Sequence, residues 1–401
     1  MLGSIHLIRS KVSEVFCWYF FLFLLFISVF IDNGKAVVNF YRVWVCIPVL
    51  LCVRWSDIKG IVNVRFVQYF LALTVWLSLS LLWSDSDKLH NMAAKILATT
   101  ALLFMIGNLV AHQNIRLIQA EFYYIGSALV LIVMIYLKWG YLGNDYSGNP
   151  LGSFGYYNLV AWFLSAAAIV ALSLICNKPR KSTLWLLVAA FIVLLTSVVM
   201  FKSRGALLGL LTGCTLLITR LYWTVFVSLK GILYVLVVST SIFLLFTLFI
   251  DTNSMTVYVS DLLSRADAGR FLIYENAYKT ITESISTLLF GHGIAADPGN
   301  IVWRGMKVAH WHSIYVSTLF FGGLVGLLLF LLCVFKRPYE IYIKKAKPNS
   351  WDFVVMGMMV TLMFDGNRIY EYPGGMLLAF TLPLFLANFI GSRETQSQSE
   401  A

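Results

Sequence analysis

The stretch VAHWHSIYVSTLFFGGLVG, residues 308–326, places two histidines directly before an apolar run. From Ser313 onward this run is long enough to enter a lipid bilayer, whose hydrocarbon core is crossed by about 20 residues of helix. A histidine at a membrane boundary is an unusual residue to keep for packing alone. The stretch therefore predicts a membrane-embedded fold and raises the question of what His312 does at its edge.

The composition of the whole chain agrees with a protein embedded in lipid. Of its 401 residues, 60% are hydrophobic and only 12% are charged, whereas soluble domains carry about 25% charged residues. Apolar runs recur along nearly the whole length, so the chain is predicted to be a single all-α polytopic membrane protein. Its net charge of +11 is attributed to cytoplasmic loops and lipid phosphates rather than to nucleic acid. The cysteines lie in or beside apolar runs and indicate neither disulfides nor a thiolate metal site.

Hydropathy predicts about 12 transmembrane helices and one large extramembrane loop containing short helices. Nine spans fall in residues 1–250, the loop covers residues 251–311, three spans occupy residues 312–391, and the polar tail 392–401 is expected to be disordered and cytoplasmic. The first span is expected to be retained, because no small-residue cleavage pattern follows it. The predicted spans are about 15–31, 37–53, 66–83, 92–111, 117–137, 157–175, 183–201, 205–219, 231–250, 313–335, 353–364 and 374–391.

Basic residues set the predicted orientation, because they collect in cytoplasmic loops. The clusters NKPRK (residues 177–181) and KRPYEIYIKKAK (residues 336–347) lie on the same side of the predicted spans. Both termini are therefore predicted to be cytoplasmic. The segments SDSDK (residues 84–88) and KSRG (residues 202–205) and the large loop then share the outer face.

The large loop is predicted to contain an amphipathic helix that lies on the membrane or on the bundle. From Asp267 the sequence DAGRFLIYENAYKTITES places apolar residues near helical spacing, with Asp267 as a candidate N-cap and Arg270 in the first turn. Two glycines in FGHGI, residues 290–294, then end the helix. The expected apolar positions are Phe271, Tyr274, Tyr278, Ile281 and Ile285.

His312 is the candidate for acid–base chemistry. It lies near the N-terminus of a predicted span, where the helix dipole and partial desolvation both disfavour the imidazolium form. A neutral imidazole can accept a proton and so act as a general base. The alternative is an interfacial histidine that is hydrogen-bonded to a neighbouring helix. Gly322, Gly323 and Gly326 lie roughly 15 Å deeper and are interpreted as a small-residue face for a close helix contact.

Arg204 and Arg270 are the candidates for binding an anion. Arg204 lies in the short turn KSRG, which holds its side chain close to the bundle; the alternative for it is harmless snorkelling. A guanidinium presents a planar fork that fits phosphate oxygens. Two such forks and a histidine on one face indicate a site for an anionic headgroup. Further positive potential is expected from Arg265, Lys202, Arg304 and Lys307.

Metal and hydrolase chemistry find little support in the sequence. Asp85 and Asp87 form a paired-aspartate pattern that can hold a divalent cation, but the pattern is short, and Ser and Asp are ordinary helix caps. No HExxH, P-loop or GxSxG motif is present, so metalloprotease, ATPase and serine-hydrolase functions are unsupported. No metal or other cofactor is expected.

Together these features resemble the O-antigen ligase and O-antigen polymerase family of bacterial inner membranes. The resemblance rests on a dozen predicted spans, one large loop late in the chain, Arg204 in its SRG turn, and Arg270 followed by Tyr274. The ligases also carry a His-[Asn/Ser/Gln], nine-residue, Gly-x-x-Gly pattern, which HS at 312–313 and GLVG at 323–326 fit without a gap. The residues after the last glycine depart from the family, because they are leucines instead of small hydroxyl residues.

The resemblance implies a glycosyltransferase at the periplasmic face. Such enzymes move a glycan from an undecaprenyl diphosphate carrier to an acceptor sugar, which for a ligase is the lipid A–core oligosaccharide of lipopolysaccharide. It implies that Arg204 and Arg270 bind the diphosphate, that His312 takes the proton of the acceptor hydroxyl, and that no metal is needed. Direct displacement would invert the anomeric centre. Membrane lipids are the other expected partners.

Several alternatives remain open, including a teichoic or other surface-glycan ligase, a protein-glycosylating oligosaccharyltransferase of the same fold, and a purely structural membrane scaffold. An O-antigen polymerase would share the donor but take the growing glycan as acceptor; polymerases of this family often carry two comparable periplasmic loops, and the single large loop here favours a ligase. A transporter or flippase for lipid-linked sugar would be expected to show inverted repeats and midplane charges. No repeat is evident, and Arg42 and Lys95, near the outer ends of their spans, are interpreted as snorkelling.

Overall fold

The computed structural model describes eleven continuous segments and a few isolated positions before residue 55. The segments are residues 55–86, 88–112, 116–142, 157–177, 179–226, 270–297, 301–303, 306–308, 310–366, 368–371 and 374–400. The predicted spans 15–31, 37–53 and 231–250 lie almost entirely outside the described residues. So do Asp267, Arg265 and Arg304.

Within these segments the chain is a bundle of α-helices with one short β-hairpin. The helices are α1 (Trp55–Val62), α2 (Arg65–Leu79), α3 (Leu89–His112), α4 (Arg116–Leu142), α5 (Tyr157–Cys176), α6 (Lys181–Met200), α7 (Arg204–Phe226), α8 (Arg270–Ile281), α9 (Ile285–Phe290), α10 (Ile314–Tyr342), α11 (Ser350–Thr361) and α12 (Leu382–Glu400). A 3₁₀ turn, Ser80–Trp83, extends α2, and a π-helical turn, Leu377–Thr381, precedes α12. Strands β1 (Ile301–Trp303) and β2 (Met306–Val308) pair antiparallel, with Val302 opposite Lys307.

Six of the described helices are long and apolar enough to cross a membrane by length and composition. They correspond to the third to seventh and the tenth of the predicted spans, so the chain is a helical membrane protein as expected. The eighth predicted span is α7, and the last two correspond to shorter apolar helices, Ser350–Thr361 and Leu377–Arg393. The membrane-sized helices are Arg65–Trp83, Leu89–Ala111, Gln119–Leu137, Tyr157–Cys176, Lys181–Met200 and Ile314–Tyr342.

Glycines bring α7 and α11 into close contact. A Cβ added at Gly209 of α7 would meet the hydroxyl of Thr361 and would lie 2.7 Å from the carbonyl oxygen of Gly357 in α11. Small residues permit such a close approach of two backbones in membrane proteins. The Thr361 hydroxyl also donates to the carbonyl oxygen of Gly205 at 3.0 Å. The crossing therefore holds Arg204, the first residue of α7, beside the C-terminal end of α11.

Helix α10 is interrupted at Gly323, where φ is +65° and ψ is −167°. A Cβ at this position would meet the carbonyl group of Leu289 at the end of α9, and only glycine adopts such a backbone without strain. The carbonyl oxygens of Phe320 and Phe321 turn away from the helix ladder and accept hydrogen bonds from the amides after α9, at 2.8 and 3.0 Å. The glycines thus permit a close helix contact as predicted, although the break in α10 was not expected.

The predicted apolar face of the loop helix is wrong in part. Tyr278 is 68% exposed and Ile285, which belongs to the separate helix α9, is 78% exposed. The helix ends at Ile281 because Ser284 starts α9 with a capping box, in which its hydroxyl accepts from the Thr287 amide. The positions that α8 does bury recur at every fourth residue; they are Ile273, Ala277 and Ile281.

The tail from residue 392 was expected to be disordered; in the structure, α12 continues to Glu400. After Gly391 the sequence SRETQSQSE contains neither glycine nor proline, and its Arg, Glu and Gln residues favour helix. The start of the segment is also anchored: the Arg393 guanidinium donates to the carbonyl oxygen of Val110 at 2.6 Å.

A buried ion pair lies at the end of the bundle where α10 finishes. Arg337 binds Asp352 of α11 in a two-pronged contact, Nε to Oδ1 at 2.9 Å and Nη2 to Oδ2 at 2.8 Å. Both side chains are buried. The guanidinium also donates to Glu340 at 3.1 Å, and the Asn349 amide donates to Asp352 at 2.8 Å. This set, Arg337, Glu340, Asn349 and Asp352, is called the closed end below.

Candidate active site

The opposite end of the bundle, where α10 begins and α11 ends, carries His312. The Ile314 amide donates to the carbonyl oxygen of Leu362 at 3.0 Å, which joins the two helices. Ser313 is the N-cap of α10, and its hydroxyl accepts from the Val316 amide. Trp311 is fully buried and packs edge-on against Phe320, with ring centroids 5.2 Å apart. The backbone on both sides of His312 is therefore fixed by the bundle.

His312 lies against a carboxylate. Its Nδ1 is 3.2 Å from Oδ1 of Asp365, a residue that follows α11. The His312 side chain is 33% exposed and that of Asp365 is 15% exposed, so the pair sits at the rim of the bundle rather than in its core. His312 has a φ of +50°, a conformation uncommon for residues with a Cβ. Such strained backbone clusters at functional sites.

His310 reaches the same carboxylate oxygen. Its Nε2 lies 3.4 Å from Oδ1 of Asp365, and its ring centroid is 4.1 Å from that of His312. The Gly366 amide donates to Oδ1 at 2.9 Å, and the side-chain amide of Asn158 donates to Oδ2 at 3.3 Å. Asp365 thus receives hydrogen bonds from three separate parts of the chain.

Asp365 is ionised. Burial alone would raise the pKa of its carboxyl, but hydrogen bonds from His310 and His312, the charge of His312 and the Gly366 amide together hold that pKa well below its usual range. An ionised carboxylate can only accept hydrogen bonds. Nδ1 of His312 must therefore be the donor, and whenever the imidazole is neutral the other ring nitrogen, Nε2, carries a lone pair. This is the arrangement in which a carboxylate orients a histidine as a general base.

Tyr274 of α8 ties the large loop to this site. Its hydroxyl lies 3.2 Å from the carbonyl oxygens of both His312 and Met363, and it can donate its single hydrogen to either. Arg270 is the first residue of the same helix, about 6 Å along the axis from Tyr274. Arg270 thus begins the helix that contacts the His312 backbone through Tyr274, while its side chain lies outside the described residues.

Arg204 lies beside the residues that lead to Asp365. A Cβ on its neighbour Gly205 would be 3.9 Å from Cβ of Phe364, which directly precedes Asp365. The KSRG turn is also linked to the carboxylate through α5, where Tyr157 stacks on Phe201 with ring centroids 6.0 Å apart and the next residue, Asn158, binds Asp365. Arg204 itself is half-buried. The structure therefore brings the turn predicted to bind an anion to the end of the bundle that carries His312.

Comparison with protein families gives one match. Residues 189–331 match the family model described as O-antigen ligase. The chain carries an O-antigen ligase domain. The match includes Arg204, Arg270 and His312, whereas Asp365 lies after its end. No curated protein matches the chain significantly. The resemblance to the O-antigen ligase and polymerase family, drawn from the sequence, is thereby confirmed.

Asp365 is the residue of the site that sequence reasoning missed. It belongs to the segment DGNRIYE, residues 365–371, which interrupts two apolar runs with charged and polar residues on the face already predicted for His312. That clustering was an available signal. The identity of the histidine's partner could not be predicted, because a contact between residues 53 positions apart depends on how α10 packs against α11.

The rest of this segment is also bound to the bundle. Arg368 lies over the ring of Phe321 at 4.1 Å and donates to the carbonyl oxygen of Ala296 at 3.1 Å. Glu371 forms an ion pair with Lys95 of α3 at 2.7 Å. The snorkelling interpretation of Lys95 is therefore wrong, because its ammonium group turns to a carboxylate contributed by another segment. Arg42 lies outside the described residues.

The segment SDSDK plays a structural part where it is described. The Ser84 hydroxyl accepts from the Ala295 amide at 3.2 Å, and the Ser86 hydroxyl accepts from the Lys88 amide at 3.1 Å ahead of α3. Asp85 is exposed, and Asp87 lies outside the described residues. These contacts agree with the interpretation of Ser and Asp in this segment as ordinary helix caps.

Proposed function

We propose that this protein is an O-antigen ligase of lipopolysaccharide biosynthesis. It transfers the O-antigen polysaccharide from undecaprenyl diphosphate to a sugar hydroxyl of lipid A–core, at the periplasmic face of the bacterial inner membrane, in which it is a multi-pass protein. The observation that carries the proposal is the contact of His312 Nδ1 with Asp365 at 3.2 Å, at the same end of the bundle as the Arg204 turn.

His312 acts as the general base in this proposal. Because Nδ1 donates to Asp365, the lone pair of Nε2 accepts the proton of the acceptor hydroxyl as its oxygen attacks the anomeric carbon. The new glycosidic bond forms while the bond to the diphosphate breaks, and the electron pair of that bond leaves with the diphosphate. The charge of Asp365 stabilises the imidazolium that results. A single displacement of this kind inverts the anomeric centre.

Arg204 and Arg270 bind the diphosphate. Charge develops on its bridging oxygen as the glycan leaves, and fixed guanidinium groups in a partly desolvated site stabilise that charge strongly. Diphosphate is already a good leaving group, so the transfer proceeds without a catalytic metal and without a nucleotide. The half-buried position of Arg204 beside Phe364 supports this role.

The closest alternative is an O-antigen polymerase, which would use the same donor and the same three residues and differ only in its acceptor. The alternative from another class is a lipid-linked sugar transporter. The ion pair of Lys95 with Glu371 and the pairing of Asp365 with two histidines lie at the His312 end, and the buried pair of Arg337 with Asp352 lies at the closed end. These charged groups therefore lie at the ends of the bundle rather than at its midplane. A surface reaction accounts for this placement better than alternating access does.

Complementation separates these functions. The wild-type gene is expressed in a strain that lacks its own ligase, and lipopolysaccharide and carrier-linked glycan are then analysed on gels. A ligase restores long-chain lipopolysaccharide. Restoration of chain length only in a polymerase-deficient strain would assign the growing glycan as acceptor. Activity in neither strain would contradict both transferase functions and favour the transporter.

Two arginines of α7 provide a matched pair of variants that tests whether Arg204 binds the diphosphate. Arg204→Ala is expected to raise the KM for the lipid-linked donor and lower kcat, because a guanidinium on the diphosphate contributes in both the ground state and the transition state. Arg220→Ala removes an exposed arginine from the same helix and is expected to leave both constants near wild type. Equal effects of the two substitutions would show that Arg204 does not bind the donor.

A further inference from the structure

The carboxylate and the two histidines of the site also have the geometry of a metal-binding triad. The ligand atoms His310 Nε2, His312 Nδ1 and Asp365 Oδ1 all lie within 4.8 Å of one another. Oδ1 is 3.2 Å from the nitrogen of His312 and 3.4 Å from that of His310. Tetrahedral zinc with ligands at about 2.0–2.2 Å requires neighbouring ligand atoms to be about 3.3 Å apart. Two of the three separations therefore match such an ion, and the two nitrogens would have to approach each other by at most about 1.5 Å.

The donor set and its surroundings select the class of ion. Two imidazoles and one carboxylate suit zinc, nickel and copper, whereas magnesium and calcium prefer oxygen ligands throughout. The His310 and His312 side chains are 26% and 33% exposed, which gives an ion and a fourth, water ligand access to them. Asn158 and the Gly366 amide bind the carboxylate from the protein side, as outer partners commonly orient metal ligands.

We propose that His310, His312 and Asp365 form an inhibitory site for a divalent transition-metal ion such as zinc. This inference rests on the proposed function, because the ion acts on the base of that reaction. It concerns regulation only, since the transfer itself runs without a metal.

The inhibition follows from where the protons of the two imidazoles lie. Each histidine binds the ion through the nitrogen that otherwise donates to Asp365, so that nitrogen gives up its hydrogen. The ring stays neutral when a proton is taken up through water at its other nitrogen. In His312 this second nitrogen is Nε2, which then carries a hydrogen and has no lone pair for the acceptor hydroxyl. Occupancy of the triad and general-base catalysis are therefore mutually exclusive.

Metal binding is measured directly on the purified full-length protein in detergent, by competition with a chromophoric zinc chelator. Wild type is expected to take up one zinc ion. His310→Gln and Asp365→Asn are expected to weaken that affinity at least about tenfold, since even outer partners of a metal ligand contribute 10- to 100-fold. His90→Gln removes an exposed histidine of α3 and should bind zinc as wild type does. No zinc uptake by wild type, or equal uptake by His310→Gln, would overturn the site.

Transfer activity tests the inhibitory effect. Each protein is assayed with zinc or with magnesium at equal concentration, and its rate is divided by its own rate in chelator-treated buffer. Zinc, but not magnesium, is expected to inhibit wild type over the range in which it binds, and chelator to restore the rate; the normalised inhibition should be lost in His310→Gln. Zinc binding without inhibition, or activation by zinc, would overturn the regulatory role.

The two readouts separate this inference from the proposed function. If the protein were a transporter, no transfer would be measured in chelator-treated buffer, yet zinc binding and its loss in His310→Gln would still decide whether the site exists. If transfer is measured but wild type binds no zinc, the result supports the proposed ligase function and contradicts the proposed metal site.

Discussion

An aspartate from α11 or from the segment after it lies beside each end of α10. The two aspartates are buried or half-buried, and the side chains that bind them differ in kind. At the closed end, Asp352 is 0% exposed, and both its oxygens are bound by the Arg337 fork. At the other end, Asp365 is 15% exposed and is bound by two histidines. A guanidinium cannot give up its proton in a protein, whereas an imidazole that donates through one nitrogen keeps the other for chemistry. The first carboxylate therefore joins helices, and in the proposed function the second prepares a base.

The comparison also separates stability from function in energetic terms. Forming a buried ion pair contributes little net stability, but removing one partner leaves an uncompensated charge in a medium that solvates it poorly. The rim position of the His312 pair avoids most of that cost. Substitutions at the closed end should therefore affect folding, and substitutions at the His312 end should affect transfer.

The largest effect is expected from Arg337→Met. It leaves Asp352 and Glu340 without their shared cation and is expected to destabilise the protein by roughly 3–5 kcal/mol. Thermal unfolding in detergent and the yield of folded protein measure this loss. Lys344→Met, which removes an exposed lysine two residues beyond α10, is the control. Equal stability of the two variants would show that the closed end does not hold the helices together.

The second substitution is Asp365→Asn, which is expected to lower the rate of transfer about 100-fold or more while the protein stays folded. The side-chain amide can donate as well as accept, so it no longer holds His312 in the tautomer with a free Nε2. Asp352→Asn is the matched change at the closed end, and there the loss should appear in thermal stability. Similar stability losses in both variants, with transfer intact in Asp365→Asn, would contradict the comparison.

A smaller effect is expected from Tyr274→Phe, which removes the hydroxyl shared by the carbonyl groups of His312 and Met363. Loss of one such hydrogen bond corresponds to about 1 kcal/mol, or roughly a fivefold decrease in the transfer rate if His312 is left less well positioned. Tyr278→Phe on the same helix changes an exposed tyrosine and should leave the rate unchanged. If both variants transfer at the wild-type rate, α8 does not position the base.

The smallest effect is in the pH dependence of stability. The depressed pKa of Asp365 means that its stabilising contribution is present above the ordinary aspartate pKa of about 3.9 and is lost only as pH falls through the lower, folded-state value. The free energy of unfolding of wild type relative to Asp365→Asn should therefore not decrease between pH 8 and pH 5. A decrease within that range, measured by chemical denaturation, would show that the carboxylate is not ionised as described.

Local features of the sequence were enough to predict much of this molecule. The length of the apolar runs identified the six described membrane-sized helices, since each helix that crosses a bilayer must by itself contain about 20 apolar residues. The position of His312 just before such a helix, together with the short Arg204 turn, predicted that these two residues lie at the same end of the bundle, where the structure has them. These properties require no knowledge of which helices are neighbours.

The rest of the site depends on packing that no local pattern encodes. Asp365 meets His312 because the Ile314 amide at the start of α10 is bonded to the carbonyl oxygen of Leu362, just after α11. Lys95 finds Glu371 across 276 positions, and so its pairing could not be distinguished from snorkelling. The face of α8 was predicted wrongly because helical spacing continued past Ile281, where the capping box of α9 ends the helix.

The most direct test of the account replaces His312 itself. Purified wild type, His312→Ala and the exposed-histidine control His90→Ala are compared at equal protein amounts for transfer of glycan from undecaprenyl diphosphate to lipid A–core, in chelator-treated buffer. Loss of a general base is expected to reduce the rate of His312→Ala about 10²- to 10⁴-fold, with binding of the lipid-linked donor retained and His90→Ala at the wild-type rate. Transfer by His312→Ala at the wild-type rate would contradict the central claim that the imidazole held by Asp365 is the base.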